Sequence, residues 1–66
     1  MKLEFDPVAD AAYLEIADSE VDSSQEIKPG VILDYDAAGN VIGLEILDAS
    51  QRVQNPAAME FAVKAA

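Results

Sequence analysis

Residues 29–50 read PGVILDYDAAGNVIGLEILDAS. Two apolar runs, 31–33 and 41–47, flank Asp34-Tyr35-Asp36-Ala37-Ala38-Gly39-Asn40. β-Branched and aliphatic residues on either side of a cluster of turn formers signal a β-hairpin. Its register follows from the side chains. With residues 37–40 as the loop and Asp36 opposite Val41, Tyr35 faces Ile42, Leu33 faces Leu44 and Val31 faces Ile46. That face is wholly apolar. The other carries Asp34 by Gly43 and Ile32 by Glu45. A slip of one residue would mix the two sets. Gly39 or Asn40 supplies the positive φ that such a loop needs.

Upstream, Lys2-Leu3-Glu4-Phe5 alternates polar with apolar, the period of a half-buried strand, and Asp6-Pro7 ends it. Residues 12–17 (AYLEIA) form the next strand, with Leu14 and Ile16 on one face and Glu15 on the other. Leu3 opposite Leu14 and Phe5 opposite Ala12 keeps the apolar residues together, with Lys2 by Glu15 and Glu4 by Tyr13. Sliding by two would oppose Glu4 to Glu15, an unfavourable like-charge pair. Residues 18–24 are a polar loop, and 25–28 a short extended piece stopped by Pro29-Gly30. Asn55-Pro56 reads as a helix start, and 57–66 favours helix with Met59, Ala62, Val63 and Ala66 in one stripe. The expected fold is therefore α+β: a small antiparallel β-meander of about four strands over 1–53, with a C-terminal helix over 54–66. That helix would dock on the sheet or on a partner subunit, being too short to stand alone. Tyr13, Ile32, Val41 and Leu47 give the second sheet face apolar patches, so these four, with Met59 and Val63 of the helix, are the candidate interface residues.

At 66 residues the chain is one small domain. A domain of this size leaves much of its surface exposed and usually needs a staple. With no Cys and no His, disulfides, thiolate metal sites and the commonest general base are excluded. What remains is an oxygen-ligated metal or oligomerisation, and without a metal cage association into a homodimer is the expectation. A net charge of -9 argues against nucleic acid and against anionic membrane surfaces, and no apolar run is long enough to span a bilayer. The same charge suits a basic protein partner or divalent cations. Acidic residues near the N-terminus, where a signal peptide needs an apolar core, point to the cytoplasm.

One stretch imitates a calcium loop: Asp34, Asp36, Gly39 and Glu45 fall at positions one, three, six and twelve of the EF-hand pattern. Ala38 stands where that pattern needs Asp or Asn, the flanks are strand-like, and the hairpin register carries Glu45 away from the turn. Asp34 and Asp36 read better as solvent-facing acids beside the turn. Asp6 and Asp10, close to Tyr13, form a second carboxylate pair that serves turn chemistry or a cation. The serines have no histidine to activate them, so no catalytic residue and no cofactor is assigned. Asp48-Ala49-Ser50 reads as the cap of a short turn or helix over 51–53.

Residues 5–14 (FDPVADAAYL) and the block Pro29-Gly30-Val31, Asp34-Tyr35-Asp36, Gly39, Val41-Ile42-Gly43 and 45–50 (EILDAS) together resemble the small prokaryotic family DUF2283, a domain of unknown function. The resemblance implies a small, mostly β, stand-alone protein and brings no catalytic residues with it. Genes for small toxin-like proteins beside some members imply an antitoxin-type role towards a partner. The functional expectation is a non-catalytic acidic binding or assembly module that steers a basic partner by its carboxylates. The alternative is a divalent-cation or small-ligand binder using Asp6 and Asp10, or Asp34 and Asp36.

Overall fold

The computed structural model describes residues 1–58 and 60–65. Five strands, β1 (Lys2–Asp6), β2 (Ala11–Glu15), β3 (Ser23–Lys28), β4 (Val31–Tyr35) and β5 (Val41–Leu47), form one antiparallel sheet. Their order across the sheet is β1-β2-β5-β4-β3. The 25–28 piece is thus part of a full fifth strand, lengthened at its start by Ser23 and Ser24. The order is also not a simple meander. The chain leaves β2, crosses to the far edge as β3, and returns through β4 so that β5 lies beside β2. This is a Greek-key order run from its other end.

The expected pairings hold across most of the sheet. Lys2, Leu3, Glu4 and Phe5 oppose Glu15, Leu14, Tyr13 and Ala12. Val31, Ile32, Leu33 and Asp34 oppose Ile46, Glu45, Leu44 and Gly43. Near the turn the register departs from the expectation: Tyr35 pairs with Val41, and Ile42 is the extra residue of a bulge. The cause lies in the loop. Asp36 Oδ1 accepts the Ala38 and Asn40 amides at 3.0 and 2.9 Å, and Oδ2 accepts Asn40 Nδ2 at 3.1 Å. This ties Asp36 into the loop instead of the ladder, and Gly39 takes the positive φ of 86°.

The helix expected over 54–66 is not found. Among the described residues the one helix is α1 (Ala49–Arg52), and residues 54–58 and 60–65 are turn and irregular chain. Met59, one of the candidate interface residues, lies outside the described residues. The physical reason is length: a stretch this short gains little from propensity alone and needs an apolar surface to lie in. Its Phe61 is instead 79% exposed.

α1 is held by distant partners. Asp48, at its N-cap, has a left-handed backbone and makes no side-chain cap bond. Asp10 caps from across the fold: its carbonyl accepts the Ala49 amide at 2.9 Å, Oδ1 the Ser50 amide at 3.0 Å and Oδ2 the Ser50 hydroxyl at 2.7 Å. Arg52 then donates Nε to the Leu47 carbonyl at 2.8 Å and Nη2 to the Pro29 carbonyl at 2.5 Å. Its guanidinium lies against Gly30, whose φ is +80°. Ala49 is fully buried beneath this arrangement.

Alternation along the strands gives the sheet two unlike faces. One carries Leu3, Phe5, Leu14, Leu33, Leu44 and Ile46 in matching rows. The other carries Lys2, Glu4, Tyr13, Glu15, Glu45 and Asp34. The molecule is a disc of 34 × 33 × 19 Å. Its buried apolar residues are Ala12, Ile42 and Ala49 alone among those described.

Candidate functional site

The polar face is built around a glycine. Gly43 sits in the middle strand β5, between Glu15 of β2 and Asp34 of β4. A glycine inside a strand often marks a close approach by another group, and here the group is the Tyr13 ring. A Cβ at Gly43 would overlap the Tyr13 hydroxyl, approach its Cζ to 2.8 Å and reach Asp34 Oδ2 at 3.2 Å. The open surface over Gly43 lets Tyr13 cross its neighbouring strand and donate to Asp34 Oδ2 at 3.0 Å. From the other side, Ser24 of β3 donates its hydroxyl to Asp34 Oδ1 at 2.6 Å. A line of side chains thus ties β2 to β4 and β3 over the top of β5.

Asp34 is consequently no solvent-facing acid beside a turn, as its position in the sequence suggests. It is 9% exposed and has a donor on each oxygen. Such pairing is what allows a carboxylate to be buried. Burial pushes the Tyr13 phenol above its ordinary value. The hydrogen bond to Asp34 and the negative charges of Asp34, Glu15 and Glu45 push it further in the same direction.

Around this relay the face is acidic. Glu45 lies opposite Tyr13 and Ile32, Glu4 opposite Tyr13, Glu15 opposite Gly43, and Glu26 opposite Ile32. Lys2 is the cation on it, paired with Glu4 Oε1 at 2.6 Å on exposed surface. This bond, then the charges of Glu4 and Glu15, raises the Lys2 pKa. Lys2, Glu4, Tyr13 and Glu15 border a shallow recess of about 270 Å³.

The carboxylates singled out from the sequence go to different places. Asp6 Oδ1 accepts the Val8 and Ala9 amides in the first turn. Asp10 caps α1, Asp34 holds the relay and Asp36 closes the hairpin loop. Asp36 is held below the usual carboxylate range, chiefly by the Asn40 side chain and amide, then by the Ala38 and Gly39 amides. Among the described residues no three acidic side chains converge as metal ligands would. Of the interface candidates, Tyr13 and Ile32 are half-buried on the acidic face. Val41 and Leu47 are exposed near opposite ends of β5, and Val63 is exposed on the C-terminal segment.

Sequence reasoning missed Ser24, the buried state of Asp34, and the long-range roles of Asp10 and Arg52. The relay did leave a trace: Gly43 interrupts an otherwise aliphatic strand, and the register sets it beside Asp34. Asp10 and Ser50 left no comparable trace, because positions so far apart in the chain meet only once the β2–β5 pairing is known.

The family model described as protein of unknown function (DUF2283) matches residues 2–50, and the chain belongs to that family. No curated protein and no solved structure matches the chain significantly. The match ends at Ser50. It therefore takes in all five strands, the Tyr13–Asp34–Ser24 relay and the Asp10–Ser50 cap, but not the C-terminal segment.

Proposed function

We propose that this member of the DUF2283 family is a non-catalytic binding module whose working surface is the carboxylate face. The reading rests on one observation: Glu4, Glu15, Glu26 and Glu45 share a rigid sheet face around Asp34, with Lys2 as the opposing cation. Like charges fixed on a flat surface give a strong field at short range and steer an oppositely charged partner. The partner of matching chemistry is a basic protein, in an antitoxin-like arrangement, met in a prokaryotic cytoplasm by a homodimer of this chain. The relay serves this role by holding the strands that carry the glutamates. It offers no free nucleophile and no free base, because the Tyr13 and Ser24 hydroxyls both donate to Asp34.

The test compares the wild-type chain with a Glu4→Gln, Glu15→Gln, Glu45→Gln variant as bait in a native lysate. The expected result is a basic protein held by the wild type, released by about 0.5 M salt as screening shortens the field, and absent from the variant. Equal capture by both baits would sink the proposal.

A further inference from the structure

A sheet with one apolar face must bury that face against a second layer. Within this chain no such layer is present among the described residues. Leu14, Leu33, Leu44 and Ile46 are only partly buried although they lie on the three interior strands, β2, β4 and β5. Leu3 is 46% exposed. The C-terminal segment runs beside the face at its β1 side but leaves clefts. One of about 590 Å³ lies between Leu3, Phe5 and Pro7 and the segment's Pro56 and Phe61. Another of about 600 Å³ lies between Met1, Leu3, Leu14 and Phe61.

We infer that the second layer is another copy of this chain, seated face to face over Leu3, Phe5, Leu14, Leu33, Leu44 and Ile46. The inference rests on the homodimer proposed above and fixes which surface forms it. The first argument is area. The chain exposes 5004 Å², whereas a compact folded monomer of 7.0 kDa exposes about 4,000 Å². The excess of about 1,000 Å², to which the exposed C-terminal segment also contributes, is of the order of the roughly 800 Å² that each partner buries in a stable interface. The second argument is shape. Two discs 19 Å thick and 34 × 33 Å across, stacked face to face, make a body about as thick as it is wide.

The third argument is chemistry. The centre of this face has no charged group with which to recognise a charged partner, so the basic partner belongs on the other face. Its rims complement themselves. Lys28 stands opposite Val31 at the β3 edge, and Glu60 lies by Leu3 at the β1 edge. A twofold axis along the strands would set β1 of one copy over β3 of the other and bring these charges together at both rims. The sheet edges themselves are poor joints: β3 has a bulge between Glu26 and Lys28 before Pro29, and β1 carries Lys2, Glu4 and Asp6.

The chain has no cysteine, so single introduced thiols report position cleanly. The full chain is first sized by sedimentation, with dimer mass expected at micromolar concentration. Leu44→Cys and Glu45→Cys, adjacent positions on opposite faces, are then treated with a short bismaleimide. The expected result is a crosslinked dimer from Leu44→Cys and almost none from Glu45→Cys. Leu33→Asp should raise the dimer dissociation constant about tenfold or more, equivalent to about 1.4 kcal/mol. Leu3→Gln, at an edge already partly exposed, should weaken the dimer without unfolding the sheet if Leu33→Asp fails to fold. A dimer crosslinked through Glu45→Cys and not Leu44→Cys would overturn this face while keeping the homodimer. A monomer at every concentration would overturn both.

Discussion

Gly43→Ala should destabilise this sheet through a single identifiable clash. The new Cβ would occupy the site of the Tyr13 hydroxyl and come within 2.8 Å of its Cζ. Backbone lies beneath, so the ring must move. Moving it breaks the bond to Asp34, made at 3.0 Å, and a hydrogen bond to a charged group contributes about 1.5–3 kcal/mol. Crowding alone typically costs about 1–3 kcal/mol, but one ring displacement produces both losses, so they overlap. Against them, alanine recovers about 0.5–1 kcal/mol of the conformational entropy that glycine loses in a strand. The expected net loss is about 2–3 kcal/mol, a large part of the roughly 3–10 kcal/mol available to a chain of 66 residues. The assay is urea unfolding at one fixed protomer concentration, since association adds to apparent stability. The decisive comparison repeats the substitution in a Tyr13→Val background. There the ring is gone and only the Asp34 carboxylate, 3.2 Å from the new Cβ, has to give slightly, so Gly43→Ala should be near neutral or stabilising by up to about 1 kcal/mol. The two backgrounds should thus differ by about 3 kcal/mol, well beyond the ordinary error of such a cycle. An equal cost in both backgrounds would refute the reasoning and place the role of Gly43 in its own backbone.

Three other outcomes follow from the same geometry. Arg52→Lys should lose about 1–2 kcal/mol in urea unfolding, because an ammonium cannot reproduce the fork to the Leu47 and Pro29 carbonyls; full retention of stability would show that the fork is idle. Asp36 has its pKa lowered by the Asn40, Ala38 and Gly39 donors, so its contribution is present above the unfolded carboxylate value and is lost as pH falls through the folded one. Asp36→Asn should therefore flatten the acid limb of a stability–pH curve. Tyr13 has a raised pKa, so its contribution is present below the unfolded phenol value and is lost as pH rises through the folded one. In a Tyr35→Phe chain, ultraviolet titration should show the remaining phenol ionising above the ordinary tyrosine value, and Asp34→Asn should bring it down.

The legible parts of this fold were the local ones. Alternation in residues 2–5 and the aliphatic runs at 31–33 and 41–47 fixed the strands and both hairpin registers, because a one-residue error would have turned leucines outward. Where side chains compete with the ladder, that logic failed. Asp36 prefers the loop amides, so Tyr35 moves to Val41 and Ile42 bulges. Edge strand β3 was half hidden because its residues are all exposed and carry no apolar period. The helix predicted at 57–66 followed propensity alone, and propensity alone does not hold ten residues. The relay was hidden for another reason. Tyr13, Gly43, Asp34 and Ser24 belong to four strands, and only the β2–β5 adjacency, which no local pattern encodes, brings them together.

That adjacency also dictates an order of events during synthesis. Ala11 must wait for Leu47, and Tyr13 for Glu45, before β2 has a neighbour on its second side. A nascent chain that has released β1, β2, β3 and β4 therefore holds two separate hairpins with an unfilled slot between them. Tyr13 and Leu14 stand open to any passing strand until β5 emerges and closes the gap. Such late, non-local pairing slows folding and leaves an interval of vulnerability to aggregation. Chains cut just before residue 41 should accumulate in inclusion bodies, whereas chains cut after Val53 should remain in the supernatant.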